Sequence, residues 1–136
     1  MPYPSKLSAN MENAEYCNQE TDDKNCYLNA GGHFNENSMY NTYSLKGLWT
    51  VDTYWALESQ YIYESINIHK SQKIFFSQEI ESSFNILCSY DLTSCQNIIF
   101  GFGLRNASYI YKNKVLPKEE REVISVSYHE KLNSYL

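Results

Sequence analysis

Four consecutive blocks of twelve residues, Tyr61–Gln72, Lys73–Phe84, Asn85–Gln96 and Asn97–Ser108, align without a single gap. Their second position is Ile62, Ile74, Ile86 and Ile98, and their eighth is Ile68, Ile80, Leu92 and Leu104. Their fifth is small: Ser65, Ser77, Ser89 and Gly101. A fixed internal period is the mark of a repeat architecture, and a helical repeat needs roughly 20 to 50 residues per unit. Twelve residues leave room only for short strands joined by bends. Such a unit cannot bury its own apolar face, so the units must stack and share one core.

These constraints predict an all-β chain, a β-solenoid of the parallel β-helix kind with coils of about twelve residues. The second and eighth columns are expected to point inward as two aliphatic ladders, and the small fifth column to sit at a corner. Alternation with the strand period of two, as in Ile98, Phe100, Phe102 and Leu104, is expected inside each coil. The pattern weakens outward but persists. Val51, Thr53, Trp55 and Leu57 lie twelve residues after Met39, Asn41, Tyr43 and Leu45. Tyr109-Ile110-Tyr111 reads as one more opening, eleven residues on, and Asn25-Cys26-Tyr27-Leu28 as an earlier one offset by a residue. This gives seven or eight coils, spanning roughly 35–40 Å at the usual strand spacing.

The whole chain, 1–136, reads as one domain: solenoid repeats over 9–114 and a cap over 115–136. Pro2 and Pro4 without periodicity suggest a loose arm at the start. At the other end, Pro117 suits the first turn of a helix, and the acids after it suit its positive end. Ile124, Tyr128, Leu132 and Tyr135 then recur at helical spacing. A C-terminal helix covering the open edge of the solenoid is the expectation.

The third column holds Tyr63, Phe75, Leu87 and Ile99. Strand alternation places it outward, as a stacked apolar stripe of the kind that marks a contact surface. These four residues are the candidate interface, with a protein partner or a second copy of the chain as occupant, and the chain's own termini as the alternative cover.

Other functional classes fare worse. The formal charge is -5, with Arg105 and Arg121 as the only arginines, so no phosphate-binding surface is expected and nucleic acid is excluded as a partner. No apolar run is long enough to span a bilayer and no signal peptide is visible, so a cytoplasmic or virion location is expected rather than a membrane. His33, His69 and His129 have no ligand spacing. Cys17, Cys26, Cys88 and Cys95 lack the short Cys-x-x-Cys pairing, so no metal and no cofactor are expected, and the thiols read as packing groups. Glu79 and Asp91 share a column with Glu81 beside them, the nearest thing to the paired acids of polysaccharide-cleaving β-helices. No row of Lys or Arg accompanies them. Asn106-Ala107-Ser108 carries no meaning without secretion, and Gly31-Gly32 is a turn rather than a phosphate loop.

Asn25-Cys26-Tyr27-Leu28, Gly103-Leu104-Arg105-Asn106, Tyr109–Lys114 and Lys118-Glu119-Glu120 together resemble a family of proteins. These are the uncharacterised Cys- and Asn-rich short-repeat (NCY-type) proteins of tailed phages and candidate-phylum bacteria. The resemblance runs from about Asn25 to Glu120 and implies a repetitive fold and a viral source, with no established activity. This chain carries Ile, Ser or Phe where the family has most of its cysteines, which argues against a cysteine- or metal-based role. The sequence therefore points to a non-catalytic scaffold or adaptor acting through protein contacts, in a phage particle or its assembly. A carbohydrate-binding or carbohydrate-cleaving solenoid is the alternative.

Overall fold

The computed structural model describes residues 8–121, and they are nearly all β. About nine solenoid turns are stacked, one or two more than the repeat count suggests. The first six strands are β1 (Ser8–Ala9), β2 (Asn18–Thr21), β3 (Ala30–His33), β4 (Thr42–Leu45), β5 (Leu48–Leu57) and β6 (Gln60–His69). From there each coil contributes two short strands. They are β7 (Gln72–Phe75), β8 (Gln78–Glu81), β9 (Phe84–Leu87), β10 (Tyr90–Thr93), β11 (Gln96–Ile99) and β12 (Phe102–Arg105). β13 (Ser108–Tyr111) and β14 (Lys114–Val115) complete the set.

Every pairing but the last is parallel, and the register is twelve residues throughout. Ile62 faces Ile74, Ile74 faces Ile86, Ile86 faces Ile98, and Ile98 faces Ile110. Tyr27 bridges to Met39 and Met39 to Val51, in the same unbroken register. The offset expected at Asn25-Cys26-Tyr27 and the eleven-residue step before Tyr109 are therefore both absent, and the partner of Ile99 is Tyr111.

The coil is built from triplets, not from alternating residues. From Asn10 to Lys112 every third residue has a positive φ, for example Asn67 (55°), Phe76 (51°), Asn85 (55°) and Trp55 (64°). An L-residue there is uncommon and a β-branched one is a true outlier. Within that span none of these positions holds Val, Ile or Thr, although the chain is rich in them. The residue after each left-handed position points inward. Four triplets make one coil, so the section is four-sided, with four inward columns.

Two of those columns are the aliphatic ladders. Ile62, Ile68, Ile74, Ile80, Ile86, Leu92 and Ile98 are fully buried, as the second and eighth columns require. The other two are the fifth and eleventh columns, and in this half of the chain they hold serine: Ser59, Ser65, Ser71, Ser77, Ser83 and Ser89. The small residues are interior, not at corners, because isoleucines on the adjoining sides leave no room for bulk. Gly101 continues the column where a Cβ would lie 2.3 Å from Cγ2 of Ile98.

Buried hydroxyls must be paired, and here each one is. Ser77 Oγ donates to the Phe75 carbonyl at 2.8 Å and accepts the N–H of Ser89 at 3.1 Å. Ser65, Ser71 and Ser83 repeat both bonds, one within the coil and one to the next. The remaining amides close the account between coils. Gln72 N–H reaches forward to the Ser83 carbonyl at 3.0 Å, and Phe76 N–H reaches back to Tyr63 at 3.0 Å. The left-handed residue thus spends its amide on the preceding turn.

Before Ala56 the interior changes character. Cys17, Glu20, Asp23, Cys26, Asn29, Asn35, Ser38, Asn41, Ser44, Thr50 and Thr53 fill it. Asparagine does the serine's work with one atom more: Asn41 Oδ1 accepts from Thr53 N–H (3.1 Å), and its Nδ2 donates to the Thr50 carbonyl (2.8 Å). Three of the four thiols fit the expected packing role, whereas Cys88 is half-buried at an outward left-handed position. Cys17, Cys26 and Cys95 are buried and free, each directed at the carbonyl two residues before it.

The C-terminal end is closed by a hairpin. Lys112 and Asn113 both have positive φ, and β14 runs antiparallel to β13 with Val115 opposite Ile110. Leu116 is buried beneath it, and Arg121 donates to the Leu116 carbonyl at 3.1 Å while stacking on Tyr109. A short helix follows Pro117 over 118–121. Ile124, Tyr128, Leu132 and Tyr135, expected on that helix, lie outside the described residues, as does the arm over 1–7.

Two substitutions separate the two kinds of column. Ile86→Ala should lower unfolding free energy by about 2–5 kcal/mol through the cavity it leaves. Ser77→Ala should cost about 1–3 kcal/mol, because it strands the Ser89 amide and a Phe75 carbonyl lone pair rather than volume. Urea titration of both variants measures the two costs, and a harmless Ser77→Ala would show that the hydroxyl ladder carries no stability.

Candidate functional site

The four candidate interface residues do form one continuous column. Tyr63, Phe75, Leu87 and Ile99 are successive register partners in β6, β7, β9 and β11. They are not a bare stripe, however. Phase three places them just after the inward residue, so Tyr63, Leu87 and Ile99 are half-buried and Phe75 is 8% exposed. The fourth column, which alternation would have turned inward, projects instead, with Phe76 at 48% and Phe100 at 49% exposure. Phe102, expected inward, is the most open aromatic of this half at 63%.

The apolar surface is therefore shifted by one column from its expected place. Phe76 and Phe100, with half-buried Cys88 between them, form one ridge, packed edge-on against Tyr63 and Tyr111 of the third column. Ile66, Tyr90 and Phe102, interrupted by Gln78, form the facing ridge, with the Tyr90 and Phe102 rings stacked at 5.6 Å. Between the ridges runs a groove of about 650 Å³ floored by Ser77, Ser89 and Gly101. The third column supports this face from one side.

The next face carries the acidic residues singled out in the sequence. Glu79, Glu81 and Asp91 line one shallow groove, with Glu79 and Glu81 flanking inward Ile80. Each acid has a partner. Asn67 Nδ2 donates to Glu79 at 2.6 Å, Arg105 is bonded to Asp91, and His69 lies 3.8 Å from Glu81. Arg105 is the cation that column reading missed, because it stands two columns over and one coil on.

Further toward the N-terminus, aromatics continue that face. Tyr43, Tyr54 and Trp55 are 45–50% exposed, and the Tyr43 ring lies 5.5 Å from Trp55 and 6.2 Å from Tyr54. Gly31 makes this possible: a Cβ there would stand 3.2 Å from Cδ1 of Tyr43, so the ring lies down on bare backbone.

One interior group is electrostatically out of place. Glu20 and Asp23 are both 1% exposed, and Oε2 of Glu20 and Oδ2 of Asp23 have no hydrogen-bond partner. Burial, reinforced by Asp23 beside it, pushes the Glu20 carboxyl up to about 9. Burial likewise pushes the Cys26 thiol up to about 12, so it stays a thiol. Among the described residues no three His, Cys, Asp or Glu side chains are grouped so as to hold a metal ion, and no helix is long and apolar enough to cross a membrane.

Compared with family models and with curated proteins, the chain matches none.

The Glu20 shift fixes a pH dependence. Between about pH 4.5 and 9 the folded chain holds a proton that the unfolded chain releases, so stability falls as pH rises through that window. The slope is on the order of 1.4 kcal/mol per pH unit. Glu20→Gln removes the titration and should flatten the fall in melting temperature between mildly acid and mildly alkaline buffer. An unchanged pH profile in Glu20→Gln would show that Glu20 is ionised in the folded chain.

Proposed function

We propose that this protein is a non-catalytic scaffold or adaptor that works through protein contacts made by its apolar groove. The observation that carries the reading is the pair of exposed ridges, Phe76 and Phe100 against Ile66, Tyr90 and Phe102, on a rigid hydrogen-bonded wall. Each such side chain left in water forgoes on the order of 1.5–3 kcal/mol relative to burial. Five such side chains around one groove, interspersed with Glu64, Gln78 and Cys88, support a contact surface.

A second copy of the chain is the first occupant to test, since a two-fold contact needs only one self-complementary surface. Tyr63, Phe75, Leu87 and Ile99 lie along the edge of that face and would be the rim of the contact rather than its centre. A phage particle or its assembly is the proposed setting, supported by the resemblance to the short-repeat phage proteins and by the rod shape of a stacked coil.

Phe76→Glu combined with Phe100→Glu should convert an oligomer into a monomer, read as mass by light scattering, with the melting temperature within a few degrees of the parent. Both positions are already outward and left-handed, so the fold tolerates the change. A parent that is monomeric at all concentrations rules out self-association. Loss of the fold in the variant would show that the ridge is structural.

A further inference from the structure

We propose that the face next to the apolar groove is a binding site for a neutral, unbranched oligosaccharide, with Tyr43 and Trp55 as its stacking platform. The site begins with an observation that the fold does not require. Tyr43 and Trp55 occupy successive positions of one outward column, and neither ring contributes to the interior. Gly31 lies beneath the Tyr43 ring, where a Cβ would press on Cδ1 at 3.2 Å, so the ring lies flat on the wall.

A pyranose ring has two chemical sides: C–H groups on its faces and hydroxyls around its edge. The first needs an aromatic plane, and the second needs fixed polar groups that can accept and donate. Both are present in the order a linear chain of sugars would meet them. Trp55 opens a groove of about 630 Å³ that continues past Asn67, Glu79 and Asp91 of the same column to Arg105. Stacking sets successive side chains about 4.8 Å apart, a spacing comparable with the repeat of a β-linked hexose chain.

The polar groups are also held in place before any ligand arrives. Asn67 fixes Glu79, and Arg105 fixes Asp91, so neither carboxylate loses much freedom on binding. An ionised carboxylate has about four lone-pair sites, and one partner leaves most of them free for hydroxyl donors. The sign of the groove restricts the sugar. Glu79, Glu81 and Asp91 outnumber Arg105, so uronic acids and sulfated or phosphorylated glycans are disfavoured. This reading does not rest on the scaffold proposal, because the two grooves share no lining residue.

The test titrates the full chain with cellohexaose, maltohexaose and chitohexaose, following tryptophan fluorescence. The chain has two tryptophans, so a Trp49→Phe background leaves Trp55 as the only reporter. At least one hexaose should give a saturable change. Trp55→Ala should then weaken binding by about tenfold or more, equivalent to roughly 1.4 kcal/mol, measured by calorimetry. Trp55→Tyr should restore most of it, and Glu79→Gln or Asp91→Asn should weaken it without moving the melting temperature. No saturation by any hexaose at concentrations on the order of 10 mM overturns the proposal. So does equal binding by Trp55→Ala, a preference for polygalacturonate, or binding of oligolysine alone.

Discussion

Everything in this structure depends on one backbone constraint: a left-handed residue at every third position. It turns the chain often enough to close a coil in twelve residues, and it sends exactly one side chain of each triplet inward. Non-glycine residues adopt that conformation at a cost of about 1–2 kcal/mol, repeated along the whole rod. What offsets it is the inter-coil ladder, in which the left-handed residue's own amide bonds the preceding turn, as Phe76 does to Tyr63. The choice of residues keeps the cost low. Asn and Asp recur at these positions, where they are better tolerated than most, and Asn13, Asn25 and Asn37 link side chain to side chain along one corner.

The same constraint explains an interior that is half polar. A four-sided coil of three-residue sides has little interior volume, and the inward amides of the fifth and eleventh columns have no strand partner. Serine fits on both counts. Its hydroxyl is small enough to sit beside isoleucine, and it supplies the acceptor that the next coil's amide needs, as Ser83 does for Cys95. Toward the N-terminus asparagine and threonine take over, and the network becomes denser while aliphatic burial disappears. Solenoid stability is approximately a sum over neighbouring turns. The turns holding Glu20 and Asp23 bury Cys17 and Cys26 but no aliphatic side chain, and they carry unpaired carboxylate oxygens, so they are the weak end of the stack.

Much of this was legible in the sequence. The period, the parallel stacking and the burial of Ile74, Ile86 and Ile80 follow from two aligned aliphatic columns, because an in-register column must be shared by stacked units. The phase within the coil was not recovered. Strand alternation assumes extended residues throughout, and a left-handed residue resets the direction of the next side chain. Phe100 and Phe102 are therefore exposed rather than inward, and Phe75 is more buried than its column suggested. The missing signal was present: Ser59, Ile62, Ser65, Ile68, Ser71 and Ile74 alternate every three residues, and β-branched residues avoid the intervening phase. The site residues were harder to place because exposure is set by phase, and an error of one column moves an entire stripe.

Separation of the columns also bears on function. Inward residues answer to volume and hydrogen bonding, so from Ile62 to Ile98 they vary little along a column, as the isoleucines show. Outward residues answer to neither, yet here they are far from random. One face concentrates Phe76, Phe100 and Phe102, and the next carries Trp55 followed by Asn67, Glu79 and Asp91. Pairs such as Asn67 with Glu79 and Tyr90 with Phe102 bridge adjacent coils, but they leave the interior untouched. A wall whose hydrogen bonds already fix the backbone can hold any such pattern without adjustment. The two chemically distinct faces of this chain therefore sit on a frame whose interior does not dictate their composition.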